Sequence, residues 1–172
     1  MFGIENYLGF VMAAILLNLT PGTDTMYIIT RSVSQGNKAG LYSVLGIVTG
    51  ILVHTVLAAL GLSIILANSP LAFTFVKYIG AIYLCYLGVK MLTQKSDSVI
   101  AKGLPTNDKA ASAKRLDYGK IYKQGVLTNT FNPKVALFFL AFFPQFIDPS
   151  YTHSTLSFLV LGLTFAVTGL VW

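Results

Sequence analysis

Long apolar runs separated by short polar segments dominate this chain of 172 residues. A helix rises 1.5 Å per residue, so about 20 apolar residues cross the roughly 30 Å of hydrocarbon in a bilayer. Five runs approach or exceed this length: Tyr7 to Thr30, Ala39 to Ala67, Leu71 to Leu92, Gly125 to Ile147 and Leu156 to Trp172. The pattern predicts an all-α integral membrane protein with five spans.

Helix-breaking residues interrupt the first and the fourth run near their middles. The first break is the segment Asn18 to Asp24, which contains Pro21 and Gly22, and the second is Asn132-Pro133-Lys134. Proline removes a backbone donor and glycine releases the chain from helical geometry. An interrupted helix at membrane depth persists only where protein or a watery cavity supplies the missing hydrogen bonds. Each break is also followed by a charged residue, and placing a charge in lipid costs free energy.

Two intact runs separate the two broken ones, so the repeating unit has three helices. An odd number of crossings gives the two units opposite orientations, which is the inverted repeat found in many secondary transporters. We therefore divide the chain into a first three-helix repeat (1–92), a cytoplasmic basic linker (93–123) and a second repeat (124–172) that is truncated in its fifth span. The repeat predicts six spans, of which five are present.

The composition agrees with a membrane protein. Hydrophobic residues make up 55% of the chain and charged residues 10%, and the mean hydropathy of +0.71 is far above that of soluble domains. The net charge of +6 does not indicate nucleic-acid binding, because eight of the twelve Lys and Arg residues lie between Lys90 and Lys123. With Cys85 as its single cysteine, the chain has no internal disulfide.

The distribution of Lys and Arg predicts the orientation in the membrane. Arg31 and Lys38 follow the first run, and eight more basic residues follow the third, whereas the amino terminus and residues 68–70 and 145–155 carry none. Basic loops remain preferentially in the cytoplasm. The sequence thus predicts a multi-pass membrane protein with its basic loops in the cytoplasm and its amino terminus outside.

Several motifs resemble those of the lysine exporter (LysE) family, and its homoserine/threonine exporter branch is the most similar. They are the Pro-Gly break with Asp24, Arg31-x6-Lys38-Ala39-Gly40, Gly80-Ala81-Ile82-Tyr83-Leu84, Asn132-Pro133-Lys134-Val135-Ala136-Leu137-Phe138-Phe139 and Phe143-Pro144-Gln145-Phe146-Ile147-Asp148-Pro149. The resemblance implies a six-helix inner-membrane protein that exports amino acids. The chain differs in having Thr23 where a second proline is common and in lacking the sixth helix.

An amino acid is a zwitterion, so its site needs a negative group for the ammonium and a positive group for the carboxylate. We expect the free N–H groups of the half-helix that starts near Thr23 to attract the carboxylate. Asp24 and the carbonyls freed before the break would hold the ammonium, and Lys134 would be a second partner for the carboxylate. The predicted substrate-binding residues are Asn18, Thr20, Pro21, Gly22, Asp24, Asn132, Pro133 and Lys134.

Two plainer interpretations of Asp24 remain open. The carboxylate could cap the second half-helix, a position that aspartate favours, or it could form an ion pair with Lys134 in the empty protein. Lys134 itself lies too deep in its span to reach the interface comfortably, so we expect an internal partner for it.

His54 lies near the middle of the second run and shares a helical stripe with Gly46, Gly50 and Ala58. Because Gly46-x-x-x-Gly50 is a small-residue packing motif, we expect the stripe to face other helices. His54 is then either a neutral, hydrogen-bonded histidine or a proton carrier, since imidazole titrates near neutral pH. Gly80, Leu84 and Gly88 form a similar packing stripe, and we expect Phe138, Phe139, Phe142 and Phe143 to be core or interfacial anchors.

The sequence favours a proton-coupled secondary transporter that exports small, homoserine- or threonine-like amino acids, with Asp24 and His54 as candidates for proton coupling. One alternative is a non-transporting or inactive truncated membrane protein, and another is an integral-membrane enzyme. The enzyme is disfavoured because the chain has two histidines and no HExxH, GxSxG or cysteine-pair motif. We expect no metal or other cofactor. The expected partners are a small amino acid and the lipid bilayer, with a homo-oligomer left open and nucleic acid excluded.

The orientation is testable with reporter fusions. A reporter fused near Asn107 should lie in the cytoplasm and one near Thr152 outside, because the fourth span crosses once between them. Measured compartment-specific reporter activity checks both positions, and the same compartment for both fusions would contradict the predicted topology.

Overall fold

The computed structural model describes residues 3–69, 116–148 and 154–171, together with 71, 74–75, 78–82, 85–86 and 89. Within these residues the chain is helical and contains no β-strand, only an isolated antiparallel bridge between Ile4 and Ile147. The prediction of an all-α protein is confirmed to this extent. The number of spans and the inverted repeat stay predictions.

Seven α-helices can be numbered along the described chain, and two of them continue into other helical forms. They are α1 (Tyr7–Leu19), α2 (Thr23–Gln35), α3 (Asn37–Leu57) with a π-helical turn (Ala58–Leu62), α4 (Ser63–Asn68), α5 (Tyr118–Thr130), α6 (Pro133–Leu137) with a π-helical turn (Phe138–Phe142) and a 3₁₀ turn (Phe143–Phe146), and α7 (Ser154–Val171). The described residues between 71 and 89 are helical as well.

Some of these helices are long and apolar enough to be membrane spans. The continuous helix Asn37–Ile65 has 29 residues and contains an 18-residue stretch with a mean hydropathy of 2.2, so it is long and apolar enough to cross a bilayer. The pair Tyr118–Thr130 and Pro133–Phe146 also qualifies as one span with a bend of 46°. Tyr7–Leu19 is a shorter apolar helix, as is most of α7.

Both predicted breaks are present. α1 ends at Leu19, and Thr20 and Gly22 are extended, with φ angles of −76° and −143°. α5 ends at Thr130, Asn132 is extended, and Pro133 is the first residue of α6. Proline suits that position because its ring presets a helical φ and its missing N–H has no intrahelical role there.

The helix of the fourth run begins earlier than the predicted span. We placed the start of the span at Gly125, and α5 begins at Tyr118, so residues 118–123 of the predicted linker are helical. Asp117 caps this helix, because its side chain accepts from the Lys120 N–H at 3.0 Å. Lysine stems along the first turns let a helix extend beyond the hydrocarbon. The linker residues 93–115 lie outside the described part.

The small-residue stripe on α3 packs where the sequence predicted. Gly46, Gly50, His54 and Ala58 are all buried. A Cβ on Gly46 would lie 3.0 Å from the Gly125 Cα and even closer to the Tyr122 carbonyl, and one on Gly50 would lie 2.6 Å from the Asn129 Cβ. α3 and α5 therefore touch backbone to backbone, as small residues allow in membranes. Gly80 packs similarly against Ala141, while Leu84 and Gly88 lie outside the described residues.

The predicted aromatic anchors form a core. Phe138, Phe139 and Phe143 are buried and Phe142 is half-buried. Phe10 from α1 meets Phe143 edge to face at 5.1 Å between centroids, and Phe165 from α7 lies 4.9 Å from Phe138. Such tilted and perpendicular contacts suit the quadrupoles of the rings. This cluster joins the helical segment Pro133–Phe146, called the α6 segment below, to both α1 and α7.

The start of α1 lies beside the end of the α6 segment. The Glu5 N–H donates to the Phe146 carbonyl at 2.8 Å, and the Asp148 N–H donates to the Gly3 carbonyl at 2.9 Å. At the opposite end of the broken helix formed by α5 and α6, Tyr42 stacks on Tyr118 and Arg31 donates to Gln124. The amino terminus and the end of the fourth span are thus at one end of the molecule, as the predicted orientation requires.

The glycine contact between α3 and α5 predicts a specific loss of stability. Gly46→Ala should destabilise the protein by about 1–3 kcal/mol, because the new methyl group meets the backbone of α5. Gly61→Ala is the matched control, since a Cβ there meets nothing within 4 Å. Thermal unfolding of the purified proteins in detergent measures both. Equal melting temperatures for the two variants would contradict the described packing.

Candidate substrate site at the two helix breaks

The two prolines each remove the donor for one backbone carbonyl. In a regular α-helix the N–H of each residue bonds the carbonyl four positions earlier, and proline has no N–H. Pro21 therefore leaves the Leu17 carbonyl without its helical donor, and Pro133 does the same to Asn129. Where water is excluded, a carbonyl that has lost this bond needs another donor from the protein.

Lys134 supplies that group at the first break. Its ammonium donates to the Leu17 carbonyl at 2.8 Å and to the Thr20 carbonyl at 2.7 Å. The Thr20 N–H also donates to the Leu17 carbonyl, at 3.2 Å. A cation at the carboxyl end of α1 is stabilised by the helix dipole as well. The expected internal partner of Lys134 is thus the backbone end of α1.

His54 has the corresponding position at the second break. Its Nε2 lies 3.3 Å from the Asn129 carbonyl, which also accepts from the Asn132 N–H at 2.9 Å. A carbonyl accepts only, so Nε2 carries the hydrogen in this arrangement. The ring is buried and stacks on Phe139, with centroids 5.4 Å apart. The geometry shows a hydrogen-bonded histidine, and whether His54 is neutral or carries a proton stays a prediction.

Asp24 is held by Asn129. Its Oδ2 accepts from the Asn129 Nδ2 at 2.8 Å. The residue lies in the first turn of α2, but the N-cap is Gly22, which offers no side-chain cap, so the carboxylate does not cap the helix. Both Asp24 and Lys134 are described, and no salt bridge joins them. The remaining oxygen of Asp24, Oδ1, is buried and has no hydrogen-bond partner in the described part of the chain.

A cavity of about 380 Å³ lies at the junction of the two breaks. This volume is within the range of small-molecule sites. Polar and charged groups line one part, and an aliphatic wall lines the rest. The described lining residues are Leu17, Asn18, Gly22, Asp24, Thr25, Ile28, Ile29, Val44, Ile47, Val48, Ile51, Asn129, Asn132, Lys134, Val135, Phe165, Gly169 and Leu170.

Five of the eight predicted site residues line this cavity: Asn18, Gly22, Asp24, Asn132 and Lys134. The other three (Thr20, Pro21 and Pro133) and His54 are not among the described lining residues. Asn18 donates to the Thr168 hydroxyl at 3.1 Å, and the Asn132 side chain accepts from the Lys134 N–H at 3.0 Å. We expected the carbonyls of Asn18, Leu19 and Thr20 to accept from a substrate ammonium. In this structure the Thr20 carbonyl accepts from Lys134.

Asn129 is the polar residue that the sequence analysis missed as part of the site. It is fully buried, it binds Asp24, and it lines the cavity. A signal was available, because Asn129 is a polar residue in a predicted span and lies four positions before Pro133. The aliphatic wall was not predictable in the same way, since α2, α3, the α6 segment and α7 contribute to it from distant parts of the chain.

Lys134→Met tests whether the ammonium stabilises the first break. The variant leaves the Leu17 and Thr20 carbonyls without this donor and should destabilise the protein by about 1–3 kcal/mol. Lys123→Met is the matched control, because Lys123 is exposed on α5. Thermal unfolding in detergent gives both values. If the two lysine variants were equally stable, the proposed role of Lys134 at the α1 break would be wrong.

Comparison with known proteins gives a consistent family assignment. The LysE type translocator family model matches residues 15–172. The leucine efflux protein of Salmonella choleraesuis (strain SC-B67) is 33% identical over 166 residues, 96% of this chain and 74% of the relative. The uncharacterized membrane protein YrhP of Bacillus subtilis (strain 168) is 38% identical over 145 residues, 84% of this chain and 69% of the relative. No solved structure matches significantly. The chain belongs to the LysE type translocator family of membrane proteins.

Proposed function

We propose that this protein is a secondary transporter that exports amino acids across the bacterial inner membrane, and that the cavity between the two breaks is its substrate site. The observation that carries the proposal is the polar part of the cavity. An acidic side chain with an unpartnered oxygen lies next to the uncapped start of α2. A zwitterion needs these two opposite features within a few ångströms of each other.

The start of α2 suits a carboxylate. Its first intrahelical bond joins the Met26 N–H to the Gly22 carbonyl, so the N–H groups before Met26 have no partner within the helix. Those groups and the helix dipole attract an anion. The Lys134 ammonium adds positive charge nearby, since a Cβ at Gly22 would lie only 3.6 Å from its Nζ. The ammonium of the substrate then belongs at the Asp24 carboxylate.

The aliphatic wall favours an apolar side chain. Ile28, Val44, Ile47, Val48 and Ile51 line the cavity, and none of these side chains has a hydrogen-bonding group for a hydroxyl. A branched aliphatic amino acid such as leucine fills such a wall better than homoserine or threonine, the substrates that the resemblance first suggested. The name of the Salmonella relative, a leucine efflux protein, points in the same direction.

The proposal includes proton coupling, an outward amino terminus and an inverted repeat with six spans. Asp24 is the first candidate for the proton, because its carboxyl group lies at the cavity and its Oδ1 has no hydrogen-bond partner among the described residues. His54 is the second candidate, linked to Asp24 through the backbone and side chain of Asn129. If the coupling is correct, an uncoupler that collapses the proton gradient should stop export.

Export assays test the proposal directly. Cells that express the full reading frame, in a host without related exporters, should release labelled leucine faster than labelled threonine or homoserine. Asp24→Asn should reduce leucine export to background, because the amide cannot balance the charge of an ammonium. The measurements are the initial rates of release from loaded cells, with the amount of each protein in the membrane fraction determined in parallel.

Lys38→Gln serves as a control that changes a charge far from the cavity, and its export should equal that of the unmodified protein. Faster release of threonine than of leucine would restore the homoserine/threonine assignment. Undiminished export by Asp24→Asn would show that the carboxylate does not bind the substrate.

A further inference from the structure

α7 contains two glycines, and the packing of the described residues requires only one of them. A Cβ on Gly162 would lie 2.7 Å from the Thr55 Cβ and closer still to the rest of that side chain, so α3 and α7 meet there without room for a methyl group. The nearest described atoms to a Cβ on Gly169 lie at 3.7 and 3.8 Å, which are ordinary van der Waals distances. A small side chain therefore fits at Gly169 without displacing its neighbours.

The backbone does not require glycine at this position either. Gly169 lies inside α7 (Ser154–Val171), and its φ angle is not in the left-handed region that favours glycine. Within a helix, alanine is more stable than glycine, because glycine loses more conformational entropy on folding. What distinguishes Gly169 is thus the space that its missing side chain leaves.

This space belongs to the cavity at the two breaks. Gly169 lines the cavity and is only half-buried, so part of its surface is open to a small molecule. The described atoms nearest to its Cβ position belong to the Asn18 amide group and to the Ile51 Cδ1, and both of these residues also line the cavity. Phe165, one turn earlier on the same face of α7, lines the cavity with a full aromatic ring. A side chain at Gly169 would therefore narrow the cavity beside Asn18 and Ile51.

The space lies close to the charged part of the site. Asn18 belongs to the last turn of α1, and the Leu17 and Thr20 carbonyls at the end of this helix accept from the Lys134 ammonium. One helical turn is only about 5.4 Å long. A substrate that places its carboxylate between Lys134 and the start of α2 therefore has its side chain within reach of Ile51 and Gly169.

We infer that Gly169 is a specificity-determining residue, whose missing side chain leaves space for the end of the substrate's apolar side chain beside Ile51. The inference rests on the proposed function and deepens it, because it names the residue that sets how large the exported amino acid is. A methyl group at Gly169 would shorten the apolar part of the site and leave the groups that bind the ammonium and the carboxylate in place. The site would then still bind alanine but would reject leucine.

Equilibrium binding to the purified full-length protein in detergent tests this inference. The Kd values of labelled leucine and of labelled alanine are measured, and their ratio is the leucine preference. The unmodified protein should prefer leucine by about tenfold or more, because leucine buries three additional carbon atoms. Gly169→Ala should lower this preference by about tenfold, which is typical of one methyl group in an apolar pocket. Its Kd for alanine should not change.

Two further variants show where the methyl group acts. The double variant Gly169→Ala with Ile51→Val loses the Cδ1 that lies 3.8 Å from the added Cβ, so it should regain the leucine preference. Gly61→Ala adds the same methyl group where no described atom lies within 4 Å, and it should keep the full preference.

The outcomes separate the inference from the proposed function. An unchanged preference in Gly169→Ala would overturn the inference alone, and so would a double variant that binds leucine as poorly as Gly169→Ala does. Loss of both leucine and alanine binding in Gly169→Ala would also overturn it, because the described neighbours leave room for the methyl group. No leucine binding by the unmodified protein would overturn the proposed function and the inference with it.

Discussion

The structure depends on two backbone carbonyls that lose their helical i+4 donors to proline. Leu17 and Asn129 lie four positions before Pro21 and Pro133, inside apolar helices where solvent offers no replacement. Lys134 from the second broken helix satisfies the first carbonyl, and His54 from α3 satisfies the second. These bonds hold the two breaks and α3 together, so the cavity forms where the breaks meet. Two ionisable residues at membrane depth thus have a structural reason to be there.

The two breaks are similar in detail. In each, the residue before the proline donates its N–H to the carbonyl three positions earlier, Thr20 to Leu17 and Asn132 to Asn129. In each, the second residue of the following helix is charged and reaches the last turn or the cap of the other broken helix. Asp24 binds Asn129 at the end of α5, and Lys134 binds Leu17 and Thr20 at the end of α1. An inverted repeat predicts this reciprocity, which supports our proposal of that architecture.

The breaks differ where a zwitterion needs them to differ. Asn132 caps α6 with its own side chain, whereas Gly22 leaves the start of α2 without a side-chain cap. The charges that follow are opposite in sign. The break at Pro21 therefore presents free N–H groups and the Asp24 carboxylate to the cavity. The break at Pro133 contributes an amide side chain and the Lys134 ammonium, which already donates to backbone carbonyls. The arrangement is asymmetric although the hydrogen bonding of the two breaks is alike.

The features that depend only on residues close together in the sequence were predicted correctly. Both breaks were predicted from Pro21, Gly22 and Pro133. The packing face of α3 was predicted from Gly46 and Gly50, and the aromatic core from the phenylalanines after Lys134. Which distant groups meet was not predictable from local signals. The sequence did not predict that Lys134 donates to the carbonyls of Leu17 and Thr20, and we gave Asn129 no role at the site. The start of α5 at Tyr118 was missed because its first turns are polar and resemble a linker in hydropathy alone.

The central claim is that Lys134 replaces the donor lost at Pro21, and a distance in a lipid bilayer tests it most directly. Solid-state NMR on protein labelled with ¹⁵N at lysine Nζ and with ¹³C at leucine carbonyls and aspartate side-chain carboxylates, with Lys134→Met to assign the signal, reports this contact. Our account predicts strong dipolar coupling between the Lys134 Nζ and the Leu17 carbonyl, whose oxygen lies 2.8 Å from the nitrogen. No coupling to a leucine carbonyl, with coupling to an aspartate carboxylate in its place, would contradict the account.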